Sequence, residues 1–328
     1  MRSTVAGFLF AASLLAQDVV SVRAGFVHHV EGEVDIDGKR VEAVKPEKLF
    51  SQPHRMKDGS VLTARDGRAE ILLSPGVALR VANNSSIRLL AGALTDTQVE
   101  LVNGSALLEV MGKVKENVVT LSYRDSRVVP RREGLYRLGG DIPELMVYDG
   151  KADLTQAGQT RTLGRGRAVV LGNWKMSRKF DPRKGDVLVQ WSIQRSEQMA
   201  LASRATTGSL LDQRRGWSSA WQWNPYYGMW SFIPGSGQYC GYFGYCFYSP
   251  QAFYVAFVAP PPQTPSSMGE QGGGPTYGRD SSGGYSTVSQ RTYEPAVAPS
   301  SPAASAPAPA RTSESSAGRG GEGGGRSQ

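Results

Sequence analysis

Gly59-Ser60-Val61-Leu62-Thr63-Ala64-Arg65-Asp66-Gly67-Arg68-Ala69-Glu70-Ile71-Leu72-Leu73-Ser74-Pro75-Gly76-Val77-Ala78-Leu79-Arg80-Val81 is a ladder of short apolar runs cut by Asp-Gly and Pro-Gly. Val61 and Leu62 lead to Asp66-Gly67; Ala69, Ile71 and Leu73 lead to Pro75-Gly76; Val77, Leu79 and Val81 lead to Asn83-Asn84. Alternation of this kind places one side of each strand on a core. Asp-Gly and Asn-Gly tolerate the positive φ of tight turns, so they mark hairpins. Five such pairs fall between Phe26 and Leu171: Asp37-Gly38, Asp58-Gly59, Asp66-Gly67, Asn103-Gly104 and Asp149-Gly150. Each reads as a turn between short strands.

Outward from this ladder the pattern continues. Phe26, Val27, Val30, Val34 and Ile36 form an imperfectly alternating first strand, followed by a polar connector with Pro46 and Pro53. Ile87, Leu89, Val99, Leu101, Ala106, Leu108 and Val110 carry the ladder forward, and further short runs reach Leu171. The expected fold is mainly β, a roll or sandwich or a short β-solenoid. The period changes at Asp186, where Leu188, Trp191, Arg195, Met199 and Ala202 share one side of a helix. That helix is expected to pack Trp191 and Met199 against a sheet. Residues 217–258 then crowd Trp, Tyr and Phe between glycines, which suits extended segments held by ring contacts rather than a helix. From 259 to 328 Pro, Gly, Ser and Ala dominate, and a disordered tail is expected. Its single Arg319-Gly320-Gly321 reads as linker, with no nucleic acid partner expected.

Arg2 and the apolar run Val5–Ala16 read as a secretory signal, 1–16, too short for a membrane span. Gln17 stands where a lipoprotein signal needs Cys, so no lipid anchor is expected. From the signal, the mature chain is expected to be exported, to the periplasm or cell envelope, with no transmembrane span, and an uncleaved N-terminal anchor is the alternative. Cys240 and Cys246 are the only cysteines; in an oxidising compartment they would close a small loop, with two free thiols as the alternative. The formal charge of +8 lies before the tail. Its densest cluster is Arg124, Arg127, Arg131, Arg132 and Arg137, read as a solvated strand face.

The ordered series of strand-turn segments resembles the FecR domain, named for the periplasmic iron-dicitrate sensor. The resemblance rests on Gly59–Ala64, Gly67–Leu73, Gly76–Val81 and Ser86–Leu89. It continues through Val99-Glu100-Leu101-Val102-Asn103-Gly104-Ser105-Ala106, Val147–Ala152 and the closing Gly164-Arg165-Gly166-Arg167-Ala168. It covers about a third of the chain and implies an FecR-like β domain over 59–172, behind an N-terminal strand and connector at 17–58. A linker and amphipathic helix (173–216), the aromatic segment (217–258) and the tail (259–328) follow. The family's sigma-binding region and its "GT-x-F" strand have no counterpart; Arg132–Arg137 stands in place of the latter. The form expected is therefore stand-alone and exported, and Trp221–Trp230 is similar to aromatic segments of such proteins.

No catalytic constellation emerges. There is no nucleophile elbow, P-loop or dinucleotide fingerprint. The histidines are His28, His29 and His54; adjacent strand residues point to opposite faces, so His28 and His29 are not expected to share a metal. Asp35 and Asp37, two apart on a strand, read as solvated turn residues. The chain is read as a non-enzyme without cofactor or metal that binds or scaffolds an unknown envelope protein or glycan. The alternatives are an envelope sensor of the iron-dicitrate type and a polysaccharide-active enzyme. Trp221, Trp223, Tyr226, Tyr227 and Trp230 are the candidate partner-binding residues, unless they form a packed lid.

Overall fold

A computed structural model describes residues 23–41, 54–112, 116–211 and 217–260. The expected signal peptide and the expected disordered tail from 261 onward lie outside the described residues, as does most of the connector. The strands run β1 Phe26–Ile36, β2 Lys39–Arg40, β3 Val61–Leu72, β4 Val77–Val81, β5 Ser85–Ala93, β6 Asp96–Asn103 and β7 Ser105–Val110. Next come β8 Val119–Tyr123, β9 Ser126–Pro130, β10 Gly134–Gly139, β11 Glu144–Val147, β12 Lys151–Gln156, β13 Gln159–Gly164, β14 Arg167–Val170 and β15 Ser177–Lys179. The helix α1 spans Val187–Ser209, followed by β16 Ala220–Asn224, β17 Met229–Ile233, β18 Gln238–Cys240, β19 Cys246–Tyr248 and the short α2 Pro250–Phe253. The chain is mainly β.

One hydrogen-bonded path links the strands in the order β13-β12-β9-β8-β6-β5-β3-β4-β7-β10-β11-β14-β15. β3 belongs to both halves of it. Val61–Ala64 pair with β5, Ala69–Leu72 pair with β4, and β1 runs along the whole of β3. The halves fold over each other as two layers. Between them lies the main core, with Ile87, Val99, Leu121, Val128 and Leu154 from the first layer and Ile71, Leu79, Leu108, Leu138 and Val147 from the second. Among the described residues every strand pair but β6 with β8 is antiparallel, so the arrangement is a roll or sandwich and not a solenoid.

The Asp-Gly and Asn-Gly signals mark corners more often than hairpins. Asp37-Gly38 does close a tight turn, with φ of 50° and 77°, between paired β1 and β2. Asn103-Gly104 and Asp149-Gly150 instead carry the chain from one layer to the other, from β6 to β7 and from β11 to β12. Asp66-Gly67 is not a turn at all: it lies inside β3 where the strand passes between the layers. A Cβ on Gly67 would sit 2.5 Å from the Glu31 carbonyl oxygen, so only glycine lets β1 and β3 pass this closely.

The imperfect alternation of β1 also has a backbone cause. Val27 pairs with Ile71 and His29 with Glu70, leaving His28 as an extra residue, and a second shift follows Gly32. A bulge re-aims side chains. Both His28 and His29 therefore face α1, contrary to the opposite-face expectation: His28 Nδ1 lies 2.8 Å from Glu70, and the His29 ring lies 6.3 Å from that of Trp191. Asp35 is buried and paired with Arg65, whereas Asp37 sits in the turn and accepts a hydrogen bond from Val61 N at 2.8 Å.

α1 starts where Asp186 accepts from Val189 N at 3.1 Å, and Arg137, expected on a solvated face, is drawn onto the same aspartate. The helix covers the outer face of the second layer. Trp191 packs on Leu107 and Leu135, while Met199 packs with Phe26, Leu72 and Ala78. No described helix is long and apolar enough to cross a membrane.

Candidate functional site

The outer face of the second layer is where the chain concentrates its polar chemistry. Strand alternation puts Ile71, Leu79 and Leu108 inward on β3, β4 and β7. Their neighbours Glu70, Arg80 and Glu109 point outward, directly beneath α1, and are at most 1 % exposed. Arg80 is the hub. Its Nε donates to Glu70 at 2.8 Å, its Nη1 to Glu109 at 2.7 Å and its Nη2 to Ser196 Oγ at 2.9 Å. Ser196 in turn donates to Glu109 at 2.5 Å. Arg195 comes down from the helix with Nε and Nη2 at 3.2 and 2.9 Å from Glu70 Oε1. His28 completes the group: Nδ1 faces Glu70, and Nε2 accepts from Trp230 N at 3.0 Å.

These partners dictate the protonation states. Nε2 must accept, so the proton of a neutral imidazole sits on Nδ1 and is donated to Glu70. Burial lowers the His28 pKa below 6.5 despite the adjacent carboxylate. Burial pushes Glu70 up, but Arg195, Arg80 and the His28 hydrogen bond together hold it well below 4.5. Two carboxylates, two guanidiniums and a neutral imidazole thus sum to zero. A lateral extension repeats the theme: Glu31 accepts from Trp191 Nε1 at 2.7 Å and from Arg68 at 2.7 Å, with Arg68 over the Trp191 ring. Glu70 is held by three partners and sealed from solvent, so it has neither a mobile proton nor a face for a substrate. Among the described residues no group of three or more metal-ligating side chains converges.

The aromatic segment extends the cover. β16 and β17 pair as a hairpin laid on the sheet. Trp221, 1 % exposed, donates to Ser74 O at 3.2 Å and meets Phe232 edge-on. Trp230 is buried between Phe26 and Trp223. Phe232 fits because Gly112 has no side chain; a Cβ there would lie 2.9 Å from the ring. Cys240 and Cys246 form a disulfide across β18 and β19, and neighbouring Phe247 is fully buried.

The five aromatic candidates therefore divide. Trp221 and Trp230 belong to the packed cover, and Trp223 is half-buried at its margin. Tyr226 and Tyr227 stand at the hairpin tip, 88 % and 40 % exposed, with their rings 5.2 Å apart. Asn224 fixes that tip. Its Oδ1 accepts from Tyr226 N and Tyr227 N at 2.9 and 3.0 Å, while its Nδ2 donates to Ala202 O and Thr206 Oγ1 of α1. Sequence reasoning passed over Asn224 and the Glu70–Arg80–Glu109 layer. One signal for the layer was present: Arg195 sits on the apolar stripe of the helix, where a charge needs a buried partner.

No family model matches the chain, and no curated protein matches it. Among solved structures, two crystal structures of a provisionally assigned anti-sigma factor from Parabacteroides distasonis, at 1.65 and 2.50 Å resolution, overlap it. Each is 15% identical with a TM-score of 0.32; the overlap covers 37% and 41% of this chain and 60% and 71% of those chains. A TM-score of 0.32 describes a partial overlap and does not establish a shared fold.

Proposed function

We propose that the chain is a non-catalytic, exported protein of the cell envelope whose FecR-like β domain holds a protein or glycan partner. The observation that carries this reading is the Tyr226–Tyr227 tip: two exposed rings on a hairpin whose base is locked to α1 by Asn224. Exposed aromatic faces on a rigid support suit sugar rings and protein hot spots alike, because little side-chain freedom is lost on binding. The Cys240–Cys246 bridge suits an oxidising compartment, and the FecR-like strand series suits an envelope module.

Two measurements test the reading. N-terminal sequencing of the exported protein should start at Gln17. Pull-down from envelope extract should retain the same partner with the wild type and lose it with the Tyr226→Ala/Tyr227→Ala double variant. Equal retention by both proteins overturns the tip as the contact. Absence of any envelope protein or glycan on the wild type overturns the binding reading itself.

A further inference from the structure

The two-layered path has two ends, β13 and β14–β15, and the layers do not close on each other there. Between these strands opens a cavity of about 370 Å³, lined among others by Arg161, Leu163, Arg167, Val169, Trp174 and Ser177. Its volume falls in the range of small-ligand sites. The floor is apolar, since Leu163, Ala168 and Val169 are at most 6 % exposed and Leu163 and Val169 belong to the main core. The rim is cationic. Arg161 lies over the Trp174 ring at 4.7 Å, and neither it nor Arg167 has an acidic partner among the described residues. Neighbouring acids are engaged elsewhere: Glu144 by Arg178, Asp153 by Arg131 and Thr162, and Asp149 faces Arg165.

We propose that this mouth binds a small amphiphilic anion, its carboxylate or phosphate head held by Arg161 and Arg167 and its apolar body laid against Leu163, Val169 and the Trp174 indole. Guanidinium groups match both heads in a bidentate manner. The apolar floor explains why a bare ion would leave the cavity underused, and why an uncharged amphiphile would leave two arginines unpaired. The proposal does not rest on the Tyr226–Tyr227 tip, which lies on the aromatic hairpin and not on these strands.

Calorimetric titration of the full chain with octanoate, octyl phosphate, octyl glucoside and inorganic phosphate tests it. Saturable binding of octanoate, octyl phosphate or both is expected, and the pair reports which head is preferred. The glucoside should bind at least roughly tenfold more weakly, as loss of one charged hydrogen bond implies. The bare phosphate should also bind at least roughly tenfold more weakly, because it has no apolar chain to bury on the floor. Arg167→Gln and Arg161→Gln should each weaken the anion by about tenfold. Thermal melting confirms that these variants are folded, and Tyr226→Ala should bind the anion like the wild type. Glucoside binding as tight as octanoate, no saturable binding by either anion, or full affinity in folded Arg161→Gln and Arg167→Gln overturns the proposal.

Discussion

The two faces of β3, β4 and β7 are built from alternate residues of the same strands, and they solve burial in opposite ways. The inner face offers Ile71, Leu79 and Leu108 to an aliphatic core. The outer face offers Glu70, Arg80 and Glu109 to α1, equally far from water. An aliphatic face tolerates small errors, because each contact is weak and non-directional. An ionic face does not, because each charge depends on named partners for its desolvation cost. The helix over the outer face of the second layer therefore needs a fixed register: Arg195 must reach Glu70 while Ser196 reaches Arg80 and Glu109. Specific docking of α1 is what this layer contributes, more than raw stability.

The largest expected effect breaks the ionic face at its hub. Arg80→Ala strands Glu70 and Glu109 with fewer partners and should cost about 3–5 kcal/mol in denaturant unfolding. A quadruple variant, Glu70→Leu, Arg80→Met, Glu109→Leu and Arg195→Met, removes all four charges of the layer together and should be less destabilised than the single variant. If Arg80→Ala costs no more than an exposed substitution, the layer is not a buried ion network. The aromatic cover gives the next effect. Trp221→Ala should lose about 3–5 kcal/mol, because a fully enclosed indole leaves a cavity. Trp223→Ala, at the half-buried margin, should lose clearly less, and equal losses would mean that the cover does not end there.

This face also shows where sequence reading stops. The alternation of apolar and charged residues in β3, β4 and β7 announced strands correctly, and the stripe Leu188–Trp191–Arg195–Met199–Ala202 announced the helix that covers them. What alternation does not encode is whether water or another element lies on the polar side. The answer depends on α1, more than a hundred residues later in the chain than Arg80. Backbone irregularities were equally hidden. His28 and His29 face the same way, toward α1, only because His28 bulges out of register between the Val27–Ile71 and His29–Glu70 pairs. Asp66-Gly67 carries the composition of a turn, but tertiary contact with β1 uses its missing Cβ for a strand crossing. The division of the aromatic segment into cover and tip was open for the same reason: ring content is a local property, and exposure is set by what lies underneath.

A smaller effect follows from the pH response of the ionic face. The folded chain holds His28 below 6.5, so the unfolded chain binds more protons under mildly acidic conditions. Stability is full above pH 6.5 and is lost as pH falls from there through the folded value. The slope should approach about 1.4 kcal/mol per pH unit for this histidine. His29, also lowered chiefly by burial, adds loss of the same sign. Glu70 acts later: its stabilisation is intact above pH 4.5 and disappears as pH falls below that toward its depressed value. His28→Gln keeps a donor for Glu70 and an acceptor for Trp230 N but does not titrate. Unfolding free energies measured between pH 7.5 and 5 should therefore decline less in His28→Gln than in the wild type. Parallel declines would show that His28 is not the group responsible.

The smallest effect on stability belongs to the tip, and it separates cover from contact. Tyr226 is 88 % exposed and makes its ring contact with Tyr227 alone, so Tyr226→Ala should change unfolding free energy by no more than about 0.5 kcal/mol. The same change should weaken partner capture if the tip is the contact, because a hot-spot ring acts only in the complex. Asn224→Ala makes the sharper comparison. It removes the two hydrogen bonds that shape the tip and the two that tie it to α1, without touching either ring. Capture should fall in this variant even though both tyrosines remain, since a loosened tip must be ordered again on binding. Retention of full capture by folded Asn224→Ala would place the contact elsewhere on the surface and leave the aromatic segment as cover alone.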